Sequence, residues 1–281
     1  MYESFYGLSE KPFAIVPDPE FLYWAATHSN AYTMLEYGIL NNAGFTVITG
    51  EIGCGKTTLI RKLLETLEAT ATIGLINNTM PHPGHLLEWV MMSLGQPFEQ
   101  TSYVGLYQQF QQFLIDEYMQ GRHVVLIVDE AQNLGIETLE ELRMLSNINS
   151  DKDQLIQMIL VGQPQLRDLL RRPELHQFQQ RIISDFHLKP LSDKEVVEYI
   201  YHRLYIAGAH ERLFSQNACL MIAHASAGVP RTINLLCDRA LIYGYSAGTR
   251  QISTQVVDKM LRDAEAQGLG HLTRQRRIAG S

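Results

Sequence analysis

The order of apolar and polar positions divides the chain into stretches of different character. Between residues 31 and 190, short apolar runs of strand length alternate with longer stretches of helical spacing. Residues 45–49 (FTVIT), 72–76, 124–128 (VVLIV), 156–161 and 183–188 predict strands. Residues 31–40, 56–68, 85–94, 106–119 and 137–145 predict helices. Apolar strands that alternate with helices specify a parallel sheet covered on both faces. The expected class is therefore α/β, an αβα sandwich around a parallel five-stranded sheet. After Pro190 the strand runs stop. Residues 192–206, 215–226, 230–243 and 254–265 all predict helices, with Ser, Pro or Thr at their starts. Residues 1–30 are rich in aromatics and proline and predict extended, turn-punctuated chain rather than helix. This gives an N-terminal strip (1–30), an α/β core (31–190), an all-helical domain (191–267) and a flexible basic tail (268–281) holding Arg274, Arg276 and Arg277.

Composition narrows the function classes. The 281 residues are 46% hydrophobic and 19% charged, as in ordinary globular proteins. A net charge of −7 argues against a surface that grips nucleic acid throughout, though a local basic patch fits inside that total. Cys54, Cys219 and Cys237 show neither metal spacing nor a paired framework, which suits a reducing compartment. Residues 1–10 lack the apolar core of a signal peptide, and no run of about 18 apolar residues predicts a membrane span. The expectation is a cytoplasmic protein, brought to the inner face of the inner membrane by a partner if it works there.

The chemistry concentrates in one segment. Gly50-Glu51-Ile52-Gly53-Cys54-Gly55-Lys56-Thr57, followed by Thr58, fits the phosphate-loop pattern G-x-x-x-x-G-K-[ST]. A predicted strand feeds it and a predicted helix leaves it, which separates it from a chance match. The glycines let backbone N–H groups turn inward, and the helix start favours an anion. Lys56 reaches the β/γ phosphates and the Thr57 hydroxyl suits Mg²⁺, so ATP and Mg²⁺ are the expected ligands. Cys54 reads as a tolerated small residue, with a reactive loop thiol as the alternative.

The run at residues 124–128 ends in Asp129-Glu130. Strand ends in open parallel sheets are where ligands bind. Asp129 is placed to hold the Mg²⁺ shell and Glu130 to activate water, a division suited to phosphoryl transfer. The alternative is a pair of acids capping the next helix. Gln163, after the 156–161 run, is a candidate for placing the water, or a turn residue before Pro164. Pro230-Arg231 opens a predicted helix. A cation there opposes the helix dipole, so Arg231 reads as a phosphate sensor. Arg181 is a candidate for reaching a neighbouring subunit's nucleotide, against a surface ion pair and the competing Arg167, Arg171 and Arg172.

Together these features resemble the AAA+ ATPases of the general secretion pathway protein A (ExeA) family. The opening Phe5-Tyr6-Gly7-Leu8, Lys11-Pro12-Phe13, Pro17-Asp18-Pro19 and Phe21-Leu22-Tyr23 is similar to that family's N-terminal signature. So are Asp129-Glu130-Ala131-Gln132-Asn133-Leu134, Val161-Gly162-Gln163-Pro164 and Gly228-Val229-Pro230-Arg231. The resemblance implies a P-loop NTPase core with a helical lid. It makes Asp129 and Glu130 the Walker B pair, Gln163 the first sensor, Arg231 the second sensor and Arg181 the trans arginine finger. It places ATP at the interfaces of a homo-oligomeric ring or filament, a hexamer among them. It also implies that the N-terminal strip covers the base through Tyr6, Phe13 and Pro17; the residues themselves read rather as core aromatics. Secretion members continue into a membrane segment and a periplasmic module, whereas this chain stops at Ser281. The alternatives are a truncated chain or a member serving a pilus or an exopolysaccharide/exosortase locus.

Three further signals are weaker. His82 and His85 lack a nearby carboxylate to complete a metal site. The Gln-rich stretch 108–113 reads as a solvated amphipathic helix. Arg167, Arg171 and Arg172 form a helical basic face. The favoured function is an ATPase that drives or regulates assembly of a cell-envelope machine with a protein partner. The alternatives are a DNA-dependent ATPase regulating transposition, with DNA the less favoured partner, and a nucleotide-dependent scaffold.

Overall fold

The structure is a computed structural model, and it describes residues 1–40, 44–67, 70–77, 86–98, 102–149 and 153–267. Its strands are β1 (Phe45–Gly50), β2 (Ala71–Ile76), β3 (His123–Val128), β4 (Ile156–Gly162) and β5 (Ile182–Leu188). Its α-helices are α1 (Glu3–Tyr6), α2 (Ala26–Leu40), α3 (Lys56–Leu67), α4 (Leu86–Ser93), α5 (Tyr103–Met119), α6 (Ile136–Leu145), α7 (Gln165–Leu170), α8 (His176–Gln179), α9 (Asp193–Ile206), α10 (Gln216–Ser226), α11 (Pro230–Ser246) and α12 (Thr254–Ala266). The chain forms two compact units. One takes Thr27–Ile52 and Ile60–Leu188; the other takes Met1–Ala26, Gly53–Leu59 and the chain from Lys189 onward.

The first unit is built on a parallel sheet in the order β2-β3-β4-β1-β5. Consecutive residues of a strand face opposite sides. Phe45, Val124, Leu126, Val128, Met158 and Leu160 enter one apolar cluster with α4, α5 and α6. Their neighbours Ile48, Val125, Ile127, Ile159 and Val161 are buried as well. This double burial explains why the runs read as continuously apolar. The register sets Thr49 beside Gly162, Gly50 beside Leu188 and Val128 beside Leu160, so β1, β3 and β4 end along one edge. At the opposite edge Glu117, buried on α5, accepts from the Arg122 Nε at 2.8 Å and from the Thr72 hydroxyl. The Arg122 guanidinium, with Thr72 adding to it, holds this carboxyl below the usual carboxylate range against the cost of burial.

The second unit is helical. Ser192 opens α9 in a capping box with Glu195, Ser215 caps α10 through Ala218 N–H at 3.2 Å, and Pro230 occupies the first turn of α11. Residues 1–26 supply part of this unit's core: Tyr2, Tyr6, Phe13 and Phe21 are buried with helices α9 to α12. A polar chain fastens the strip. Arg203 Nε donates to Pro12 O at 2.6 Å, and its Nη1 donates to the Tyr199 hydroxyl at 3.0 Å. That hydroxyl donates to Asn234 Oδ1 at 2.8 Å, and Asn234 Nδ2 donates to Ala14 O at 3.3 Å. The Arg203 guanidinium also lies 4.7 Å over the Phe21 ring.

The N-terminal stretch differs from its expectation. Glu3–Tyr6 forms a helical turn, ended by Gly7 in the left-handed region at φ 70°. Pro19–Phe21 forms a 3₁₀ turn, started by Asp18 accepting from Glu20 N–H at 2.9 Å. Helix α2 begins at Ala26, five residues before the predicted start, where the sequence ATHSN carries no apolar period of its own. Among the described residues, no helix is long and apolar enough to cross a membrane. The basic tail, His82 and His85 lie outside the described residues.

Candidate nucleotide-binding and hydrolytic residues

Strand β1 ends at Gly50, and the chain turns through Glu51 and Ile52, both exposed, into Gly53 and Gly55. Gly53 has φ +84° and Gly55 φ +95°, conformations that side chains disfavour. The bond from Leu59 N–H to Gly55 O, 3.0 Å, opens the helical ladder of α3. Lys56 is 7% exposed, Thr57 is exposed and Thr58 is half-buried. Cys54 is fully buried, so the reactive-thiol alternative lacks solvent access. Gly53 packs against the start of α11: Arg231 N–H donates to Gly53 O at 3.2 Å. A Cβ at residue 53 would lie 2.6 Å from Arg231 Cβ. Pro230 is half-buried in that turn and the Arg231 side chain is exposed. The structure therefore brings Gly53 and Arg231, 178 positions apart in sequence, into direct contact.

At the carboxyl ends of β3 and β4 stand Asp129, Glu130 and Gln163. Asp129 N–H donates to Ile76 O at 2.8 Å, and its Oδ1 accepts from Glu130 N–H at 2.8 Å. Glu130 lies in the left-handed region at φ 52°, unusual for a residue with a long side chain. Its side chain does not cap the 3₁₀ turn Ala131–Asn133 that follows. Instead Glu130 Oε2 accepts from Gln163 Nε2 at 3.2 Å and from Gln132 Nε2 at 2.5 Å. Gln132 Oε1 in turn accepts from Gln163 N–H at 2.9 Å. Sequence reasoning missed Gln132. Its signal was an amide two residues beyond an acid at a strand end, which a 3₁₀ turn folds back onto that acid.

Arg181 sits at the other edge of the sheet, one residue before β5. Pairing runs from Phe45 beside Ile182 to Gly50 beside Leu188, so the length of β5, about 20 Å at 3.3 Å per residue, separates Arg181 from the edge of Gly50 and Gln163. Its Nη1 donates to Ser146 Oγ at 3.3 Å, and it lines a cavity of about 540 Å³ whose other walls include Arg143, Gln154, Gln180 and Ile183. Of its competitors, Arg167 is ion-paired to Asp185 at 2.9 Å, while Arg171 and Arg172 are exposed.

The aromatic strip is used in packing. Tyr6 is 7% and Phe13 1% exposed, and the Tyr6 hydroxyl meets Leu241 O at 3.1 Å. Both rings belong to the apolar core of the helical unit, and Pro17 is half-buried. Helix α5 buries Leu106, Phe110 and Leu114, with Gln108, Gln109, Gln111 and Gln112 exposed, as its pattern predicts. Among the described residues, no three His, Cys, Asp or Glu are grouped to hold a metal.

Residues 39–170 match the family model of the AAA domain. The chain is 39% identical over 253 residues to general secretion pathway protein A of Aeromonas hydrophila, covering 90% of this chain. It spans 46% of that relative's length, about half. Among solved structures it is similar to the ORC2 protein of Aeropyrum pernix, with TM-score 0.69, 18% identity and coverage of 91% of this chain and 72% of that one. It is also similar to Cdc6p from Pyrobaculum aerophilum, with TM-score 0.62, 20% identity and coverage of 93% and 70%. The RuvB Holliday junction branch migration motor of Thermotoga maritima gives TM-score 0.57, 18% identity and coverage of 89% and 73%. These structural likenesses bear on the fold, a P-loop core of the AAA type with a helical C-terminal region. The phosphate loop and the clasped acid after β3 both fall within the stretch that matches the AAA domain, in a chain that is similar to general secretion pathway protein A over 90% of its length.

Proposed function

We propose that the chain binds ATP with Mg²⁺ and hydrolyses it at interfaces between copies of itself, to drive or regulate assembly of a bacterial cell-envelope machine. In this reading Gly50 to Thr58 cradle the phosphates with backbone N–H groups, and Lys56 and Arg231 neutralise their charge. Thr57 and Asp129 offer a hydroxyl and a carboxylate, hard oxygen donors suited to Mg²⁺, which would offset phosphate charge when bound. Glu130 orients and deprotonates the attacking water, with Gln163 beside it. Arg181 acts on the nucleotide of a neighbouring copy. A distance of about 20 Å along the sheet supports this, because Arg181 lies too far from its own chain's Asp129 edge to serve there.

The observation that carries hydrolysis rather than binding alone is the Glu130 carboxylate, held by two amides beside Asp129. The envelope role rests on the likeness to general secretion pathway protein A, a protein about twice as long. A working place at the inner face of the inner membrane, reached through a protein partner, belongs to the same proposal. The test is ATPase rate against protein concentration, with and without DNA. The proposal expects a rate per chain that climbs with concentration as interfaces form, and no effect of DNA. Stimulation by DNA that falls with salt would favour the DNA-dependent reading instead. Glu130→Gln should bind ATP and fail to turn it over; full turnover in that variant would remove Glu130 from the mechanism. Lys56→Ala should lose ATP binding by calorimetry.

A further inference from the structure

We infer that Gln132 is a positioning residue of the hydrolytic reaction: its side-chain amide ties Glu130 to the end of β4 and so sets where the water-activating carboxylate points. The inference rests on the role given to Glu130 above.

The geometry is specific on both sides of the amide. Gln132 Nε2 donates to Glu130 Oε2 at 2.5 Å, and Gln132 Oε1 accepts from the backbone N–H of Gln163 at 2.9 Å. A backbone N–H can only donate and an ionised carboxylate can only accept, so the two partners fix which end of the amide faces which. The amide cannot be reversed without losing both bonds. The side chain thus spans from the turn after β3 to the first residue after β4. Gln163 Nε2 reaches the same Oε2 at 3.2 Å, and the three residues close a loop of hydrogen bonds.

Two features of the backbone are fitted to this bridge. Glu130 holds φ 52°, a strained conformation for a residue with a side chain, which persists where its surroundings hold it. Beside the bridge, β4 ends in Gly162, where a Cβ would lie 2.7 Å from Gln132 Oε1 and 3.0 Å from Leu166 Cδ2. The strand end therefore carries no side chain where the amide passes. A base that activates water works through its placement, and an error of about 1 Å costs about 100-fold in rate. Two donors converging on one oxygen fix the plane of the carboxylate. With Gln132 removed, Gln163 must hold that oxygen without the second amide, and its own backbone N–H loses an acceptor.

The experiment is steady-state ATP turnover by the full chain, comparing wild type with Gln132→Leu, Gln132→Glu and Glu130→Gln. For Gln132→Leu the expectation is a kcat lower by about 10- to 100-fold. KM for ATP, affinity for a non-hydrolysable analogue and melting temperature should stay near wild type. Gln132→Glu keeps an acceptor for Gln163 N–H but sets a second carboxylate against Glu130. The two carboxylates repel, so Glu130 loses its tie and kcat should fall as in Gln132→Leu, with affinity for the analogue and melting temperature near wild type. A merely structural Gln132 would lower kcat, affinity and melting temperature together. Wild-type kcat in Gln132→Leu, or a parallel loss of all three quantities, overturns the inference. If Gln132→Leu does not fold, the same three quantities in Gln132→Glu decide. If Glu130→Gln is inactive while both Gln132 variants turn over normally, the inference alone fails. If Glu130→Gln turns over normally, the reading of Glu130 fails and carries the inference with it.

Discussion

Gly53→Ala probes the contact between the phosphate loop and the start of α11. Two costs follow from the geometry. The backbone at residue 53 has φ +84°, which costs a residue with a Cβ about 1–2 kcal/mol. The added methyl would stand 2.6 Å from Arg231 Cβ, where ordinary contact begins at 3.4 Å. That Cβ is fixed by the helix backbone, so no change of rotamer relieves the clash. Relief requires a backbone shift of about 0.8 Å. Such a shift stretches the 3.2 Å bond from Arg231 N–H to Gly53 O beyond hydrogen-bonding range and forfeits about 0.5–1.5 kcal/mol. The total is about 1.5–3.5 kcal/mol against the docked loop, or roughly 10- to 300-fold weaker ATP binding at 1.4 kcal/mol per decade. Gly7→Ala is the control. Gly7 also has positive φ, +70°, but a Cβ there meets nothing within 4 Å. It should lower melting temperature modestly and leave ATP affinity within about twofold, since only backbone strain of about 1–2 kcal/mol is added, away from the loop. Isothermal calorimetry with a non-hydrolysable ATP analogue reads the difference. A folded Gly53→Ala protein that binds ATP as tightly as Gly7→Ala would refute the role of this contact.

Two other perturbations test separate parts of the molecule. Arg181→Ala should bind ATP without turning it over, and Lys56→Ala should do neither; mixing the two should restore turnover, because one variant supplies the phosphate loop and the other the arginine. A mixture as inactive as its components would rule out action between copies. Acid stability tests the Glu117–Arg122 pair. The folded pKa of Glu117 lies below its unfolded value, so its stabilisation is complete above about pH 4.3 and fades as pH falls through the lower, folded value. Glu117→Gln should flatten the loss of melting temperature below that pH, and an unchanged acid slope would show that the pair does not contribute.

Much of the α/β unit was legible because its physics is local. Residues 124–128 are buried on both sheet faces, so their apolar run predicted a strand without knowledge of its neighbours. The phosphate loop was legible because its glycines and Lys56 sit at fixed spacing. What escaped depends on partners far away in sequence. Gln132 and Gln163 are 31 positions apart, and nothing in either segment announces that one amide reads the other's backbone. Arg203 looks like a surface cation on α9, yet it is 6% exposed and holds Pro12 O from 191 positions away. Tyr6 and Phe13 were assigned opposite roles by resemblance and by composition. Both rings are buried in the helical core, through partners that lie far along the chain.

The placement of the first 26 residues in the core of the helical unit bears on how the chain is made. Tyr2 bonds to Asp238, 236 positions later, and Tyr6 to Leu241. At about 5–20 residues per second, a ribosome needs roughly 10–50 s to supply those partners. Throughout that interval Tyr2, Tyr6, Phe13 and Phe21 stand in water ahead of an α/β unit that can already collapse on its own cluster. The helical unit is therefore the last to form and the one that leaves exposed aromatics for a chaperone to shield. Expressing residues 189–267 without the opening strip would make that incomplete core permanent.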